Sequence, residues 1–208
     1  NLLTECFPLC ISAFLLIYMG NAPKYAIDTY LTAKDQAYYT YLFMPCFVTN
    51  LFVGFALQPL LVRLSKSWVH KEYRKFIKLC GLIFAGALII STIIIIGGAI
   101  LGCPILSIVF GVSLSAYTNV LVVLLIGGAF FAFAVIEQVI LTVMRRQVYL
   151  LIGFGIASVI AMLISGILVK KFALLGAAYA YTISAGALFL VLAFMIFMFL
   201  YLEKKKNK

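Results

Sequence analysis

Residues 79–136 contain no aspartate, glutamate, lysine, arginine or histidine, a run of 58 positions. About 20 apolar residues suffice to cross the hydrocarbon core of a bilayer. A water-facing surface cannot be drawn from such a run. The whole chain agrees, being 66% hydrophobic and 11% charged; a soluble domain carries about a quarter charged residues. There is no strict alternation of apolar and polar positions, so the spans are predicted as helices and not barrel strands. The expected fold class is an all-α integral membrane bundle of six transmembrane helices.

The hydropathy pattern places the spans at about 7–31, 37–63, 79–101, 120–144, 148–169 and 174–202. Basic residues divide unevenly between the two ends. Twelve fall in the connection after the second span, in Arg145-Arg146 and in the tail; four fall on the other side: Lys24, Lys34, Lys170 and Lys171. The excess of lysine and arginine on cytoplasmic loops then puts both termini in the cytoplasm. It also accounts for the net charge of +10 without nucleic acid as a partner. Residues 64–78 carry Trp68, then Val69, Tyr73, Phe76 and Ile77 on one helical face, with basic residues elsewhere. They are predicted as an amphipathic connector lying in the cytoplasmic interface. Residues 103–111, short and uncharged, suit a half-helix at the outer surface.

Enzymatic chemistry finds no support. His70 is the single histidine and lies among basic residues, and no metal-ligand cluster, nucleophile–base pair or phosphate-cradling loop is present. No cofactor is implied. The five cysteines (Cys6, Cys10, Cys46, Cys80 and Cys103) read as small buried residues. The chain begins Asn-Leu-Leu-Thr-Glu, without an initiator methionine or the basic region of a signal peptide. It is expected to be part of a longer protein.

The first span holds the chemistry. Its apolar run leads into Asn21-Ala22-Pro23-Lys24-Tyr25-Ala26-Ile27-Asp28. Pro23 has no N–H and frees the Met19 carbonyl inside the span, predicting a kink. Lys24 and Asp28 are four apart and can pair on one face. Intramembrane charges face a partner or a water-filled cavity, and interrupted helices mark transporter sites. One reading is a cavity site in which Lys24 attracts an anion and Asp28 holds Lys24 or carries an ion. The other is an ion pair at the outer interface, because Lys24 lies about 26 Å along the axis from Phe7. Glu137, about 12 Å along its helix from Arg145, is the second buried ionisable candidate. It could titrate during transport or be a protonated carboxyl bonded to a neighbouring helix. In the sixth span Gly176, Ala180 and Ser184 form a small-residue stripe for close helix contact.

Glu5-Cys6-Phe7-Pro8-Leu9 followed by the Asn21 to Asp28 motif resembles the seventh helix of Wzx-type polysaccharide repeat-unit flippases. These belong to the multidrug/oligosaccharidyl-lipid/polysaccharide exporter superfamily. Pro104-Ile105-Leu106 through Phe110-Gly111 is similar to the short segment between the third and fourth helices of a lobe in that superfamily. Leu141 to Gln147 and Leu174 to Ala178 also fit. The resemblance runs the whole length of the chain but covers only the second lobe of a two-lobe fold of about twelve helices. It implies a flippase for undecaprenyl-diphosphate-linked oligosaccharides in the bacterial cytoplasmic (inner) membrane, serving lipopolysaccharide or other surface polysaccharides. The implied partners are the lipid-linked oligosaccharide, the bilayer, the N-terminal lobe of the same protein and a polysaccharide polymerase. Asn21, Lys24, Tyr25 and Asp28 would bind substrate, and Asp28 and Glu137 would be candidates for ion coupling in an antiporter. The alternatives are another exporter of the superfamily, for drugs or peptidoglycan lipid, and a non-transporting membrane partner of polysaccharide assembly.

Overall fold

A computed structural model describes the backbone of residues 2–206 and the side chains of residues 11–55 and 59–202. The readings of Cys6, Cys10, the Glu5 to Leu9 motif and the lysine tail lie outside the described side chains. Six helices follow in order: α1 (Leu2–Tyr30), α2 (Ala33–Val69), α3 (Tyr73–Gly97), α4 (Cys103–Phe110), α5 (Thr118–Val143) and α6 (Val148–Lys206). There is no strand among the described residues.

Among the described residues three stretches are long and apolar enough to cross a membrane: Tyr73–Phe110, Ser115–Val143 and Val148–Leu202. A fourth is the bent pair Ala33–Phe55 and Pro59–Val69, inclined at 53°. Pro59 cannot donate a hydrogen bond to the preceding turn, which is the usual cause of such a bend. α1 runs helical through Pro23, which is buried. α6 is broken at Ala173 (φ 48°, ψ −129°) into two arms, 148–172 and 174–206. The arms fold back on each other: Tyr149 meets Phe199 at 4.6 Å between ring centroids, and Leu192 lies against Gly153. Lys170 and Lys171, expected in a loop, end the first arm instead. Lys170 Nζ sits over the Tyr30 ring at 4.5 Å. Counting the two arms, and α3 with α4 as one rod, the bundle has six long helical segments.

The segment 103–111 is not a separate half-helix. α3 passes through one wide π-helical turn, Gly98–Gly102, directly into α4. Gly98 and Gly102 lie so close to Leu125 and Leu121 of α5 that a β-carbon would strike them. Pro104 falls at the first positions of α4, where its missing N–H costs little. The rod ends at Gly111 in the left-handed conformation (φ 65°), and Ser107 Oγ accepts the Leu114 amide at 3.0 Å.

The connector expected over 64–78 is likewise divided. α2 continues to Val69 and α3 begins at Tyr73. Leu64 and Phe76 are fully buried, and Trp68 packs on Phe76 at 5.0 Å and on Tyr73 at 5.6 Å. The apolar residues thus bind two helix ends to each other, and only Val69 and Ile77 stay exposed. α2 and α5 finish in the same way. The Glu72 amide donates to Ser67 and the Arg146 amide to Leu141, while Lys71 and Arg145 take positive φ. This is the Schellman ending, with a basic residue where glycine is usual. Its charge sits at the negative end of the helix dipole. At the start of α2, Thr32 and Asp35 form a capping box: Thr32 Oγ1 accepts the Asp35 amide and Asp35 Oδ2 accepts the Thr32 amide at 3.1 Å. Such a cap contributes about 1 kcal/mol.

α5 is the central helix, packed against α2, α3 and α6, while α1 packs mainly on α6. Ser158 Oγ donates to the Leu15 carbonyl at 2.9 Å, joining α6 to α1. Thr182 Oγ1 reaches the Val123 carbonyl at 2.9 Å, joining α6 to α5. The outer faces are as apolar as the interior. Leu88, Ile89, Ile93, Ile96 and Ile100 all project outward from the α3 rod, each more than half exposed. Water would not tolerate such a surface, whereas lipid tails match it.

Candidate functional site

α1 and α2 touch only sparingly, and a cavity of about 270 Å³ lies between them. α1 contributes Ile17, Asn21 and Lys24, which share a face at helical spacing. α2 contributes Phe43, Cys46, Phe47 and Asn50 on its own facing stripe. Phe131 of α5 and Tyr181 of α6 complete the wall. Cys46 Sγ donates to the Leu124 carbonyl at 3.1 Å, which fixes α2 against α5 beside the cavity.

The wall is apolar and aromatic apart from three groups. Lys24 is half-buried, and its Nζ stands over the Phe43 ring at 5.2 Å. Asn21 Nδ2 donates to the Ile17 carbonyl at 2.9 Å. Asn50 Nδ2 donates to the Cys46 carbonyl at 3.0 Å, which leaves Asn50 Oδ1 buried without a partner. A buried unpaired carbonyl oxygen costs about 1–3 kcal/mol, so this acceptor would gain from a donor entering the cavity. Phe43 stacks edge-on against Tyr181 at 4.8 Å, which holds both rings in place.

The four residues of the first-span motif do not converge. Asn21 and Lys24 line this cavity. Tyr25 lines a second depression with Tyr18, Thr29, Tyr30 and Ser165. Asp28 is exposed and lines neither. Lys24 and Asp28 make no ion pair; Lys75–Glu72, at 3.0 Å, is the one ion pair among the described residues. Pairing at this spacing would draw Lys24 away from the aromatic wall along which it lies. Sequence reasoning gave Asn50 no role. Phe43, Cys46, Phe131 and Tyr181 gave no signal, because aromatics and cysteine at helical spacing read as core.

Glu137 is 1% exposed, and its Oε2 has no hydrogen-bond partner. The bond to a neighbouring helix considered from the sequence is not made by that oxygen. Phe133, one turn earlier on the same face, packs between Phe84 of α3 and Phe189 of α6. Leucine is larger than glutamate by about one methylene but needs no hydrogen-bond partner. Glu137→Leu is therefore expected to raise stability by about 1–3 kcal/mol, read as a higher unfolding midpoint in detergent. A lower midpoint would mean that the carboxyl holds the bundle together. Cys46 and Cys103 are buried, as expected, but Cys80 is only half-buried. Among the described residues no group of three or more histidine, cysteine, aspartate or glutamate side chains could hold a metal ion.

No protein-family model, curated protein or solved structure matches the chain.

Proposed function

We propose that this chain is the C-terminal lobe of a flippase for undecaprenyl-diphosphate-linked oligosaccharides in the bacterial cytoplasmic membrane, with both ends of the segment cytoplasmic. The observation that carries the reading is Lys24: a cation without a carboxylate partner among the described residues, in the aromatic wall of a cavity inside an apolar bundle. Intramembrane charge placed this way is a device for an anion, and lysine suits a phosphate as a compact point charge. Asn50 Oδ1 would accept a sugar hydroxyl, and Phe43, Phe47 and Tyr181 would lie against the apolar faces of sugar or prenyl chain. Transport would need the other lobe, since alternating access rocks one repeat against its counterpart. Glu137 or Asp28 would carry the coupling proton or cation.

The test uses the complete protein in a deletion strain, with surface polysaccharide measured at matched membrane levels. Lys24→Ala is expected to lose polymer with drug sensitivity unchanged, while Asp28→Ala, outside the cavity, loses it only if Asp28 carries the coupling ion. Normal polymer in Lys24→Ala would sink the reading. A changed drug sensitivity with normal polymer would point to another exporter class.

A further inference from the structure

A second polar concavity lies at the opposite end of the bundle from Lys34 and Lys170, where α2 turns into α3. It measures about 490 Å³. Arg63, Lys66, His70 and Lys75 line it, together with buried Ser67 and with Glu72. Glu72 Oε2 is bound to Lys75 Nζ at 3.0 Å. Arg63 and Lys66 have no ion-pair partner among the described residues. One carboxylate therefore faces three lysine and arginine side chains, and the cleft keeps a clear positive excess. The start of α3, with its partial positive charge, opens beside it and carries no side-chain cap. Leu79 supplies an apolar boundary. Val62, Ile77 and Leu82, all exposed, give the neighbouring turns of α2 and α3 a lipid-compatible surface.

We propose that this cleft is a phosphate site, filled by the headgroup of an anionic phospholipid whose chains lie along the α2–α3 face. Paired cations over a polar floor recognise a phosphate oxyanion through charge-assisted hydrogen bonds. The position, at a helix end flanked by exposed apolar residues, is where a lipid phosphate sits. The site does not depend on the transport reading. A lobe with no export role would bind the same headgroup, so the two ideas fail separately.

The chain has one tryptophan, and Trp68 stands in this turn against Tyr73 and Phe76. Its fluorescence is the readout for the full chain in neutral detergent, with equilibrium dialysis of labelled ligand as a second measure. The probes are short-chain phosphatidylglycerol, phosphatidylcholine of equal chain length, and inorganic phosphate. Phosphatidylglycerol is expected to bind saturably and more tightly than phosphatidylcholine. The pair Arg63→Gln and Lys66→Gln should weaken it about 30-fold. The charge-matched pair Arg74→Gln and Lys78→Gln, exposed and outside the cleft, should weaken it less than about threefold. Inorganic phosphate binding with the same sensitivity to Arg63 and Lys66 would make the ligand a free phosphate and still support the site; binding of the lipid alone assigns the headgroup. Equal losses in both variant pairs, equal binding of phosphatidylcholine, or no saturable binding of any probe would overturn it.

Discussion

Lys24→Met in the complete protein is expected to cut polysaccharide export at least tenfold while leaving the lobe as stable as before, or more so. Methionine keeps most of the aliphatic stem and its contact with the aromatic wall, so the change isolates the charge. The interaction lost is one between an ammonium and an anionic group in a cavity whose wall is mostly hydrocarbon. Hydrogen bonds to charged groups contribute about 1.5–3 kcal/mol, which corresponds to roughly 10- to 150-fold in binding. The free lobe forfeits only the contact of Nζ with Phe43 at 5.2 Å, worth about 0.5–1 kcal/mol. Against that stands the relief of removing an unpaired cation from an apolar wall. Lys24→Arg keeps the charge but spreads it over a planar fork in place of a compact point charge. It should restore part of the export. Loss of export together with loss of folded protein would instead mark Lys24 as a scaffold residue. Full export in Lys24→Met would remove the cavity from the transport path.

Gly176→Val is expected to prevent the lobe from folding into a monodisperse species. The two arms of α6 meet just after the break, and a β-carbon at residue 176 would overlap the Leu168 carbonyl oxygen and press on the Val169 amide at 3.0 Å. These are backbone atoms in a helix and cannot rotate away, so the arms must separate. Separation would uncover Leu174, Ala177 and Val169, all buried in the same core. Overpacking a core costs about 1–3 kcal/mol even when side chains can yield, and here backbone must move. Gly155→Ala is the comparator, because a β-carbon there meets nothing within 4 Å. It should be neutral or slightly stabilising, since alanine favours helix over glycine by about 1 kcal/mol. At the break itself Ala173 holds φ 48°, a region that favours glycine. Ala173→Gly should therefore raise the midpoint that Gly176→Val lowers. A normal elution profile and midpoint for Gly176→Val would show that the arms do not approach as described.

The existence of the helices was legible because each is written in a property that burial in lipid demands everywhere along it. A run such as 79–136 has no other stable form. Where each helix stops is written in single residues whose effect depends on their neighbours. Gly98 and Gly102 pack closely against Leu125 and Leu121, as small residues in a span do, whereas Gly97 meets nothing within 4 Å. They also admit a wide turn through which the helix continues, which the hydropathy of residues 103–110 cannot distinguish from a new segment. Residues 64–78 have the apolar face of a helix lying flat in the interface. The same face is equally served by splitting it, with Leu64 and Trp68 on one helix end and Phe76 on the next. The candidate site was legible only from the α1 side. Lys24 stands out because charge is rare in an apolar span. Phe43 and Tyr181 come from other helices, and only packing brings them beside it. Asp28 is one turn from Lys24 in sequence, yet spacing alone does not say which contacts a long side chain prefers.

The joint at Ala173 is a single residue long. Two helices linked so tightly have no spare chain with which to slide or exchange register, and the Tyr149–Phe199 contact at their open ends holds them from splaying. Any motion of α6 is then a motion of both arms together, as one lever about 40 Å long. α1 is fastened to that lever by Ser158 and Lys170, so the side of the cavity bearing Lys24 travels with it. The opposite side, bearing Phe43 and Asn50, is fastened through Cys46 to α5. The two walls are joined in turn through the second arm of α6, where Thr182 bonds to α5 and Tyr181 packs on Phe43, so the cavity keeps its width when the lever moves.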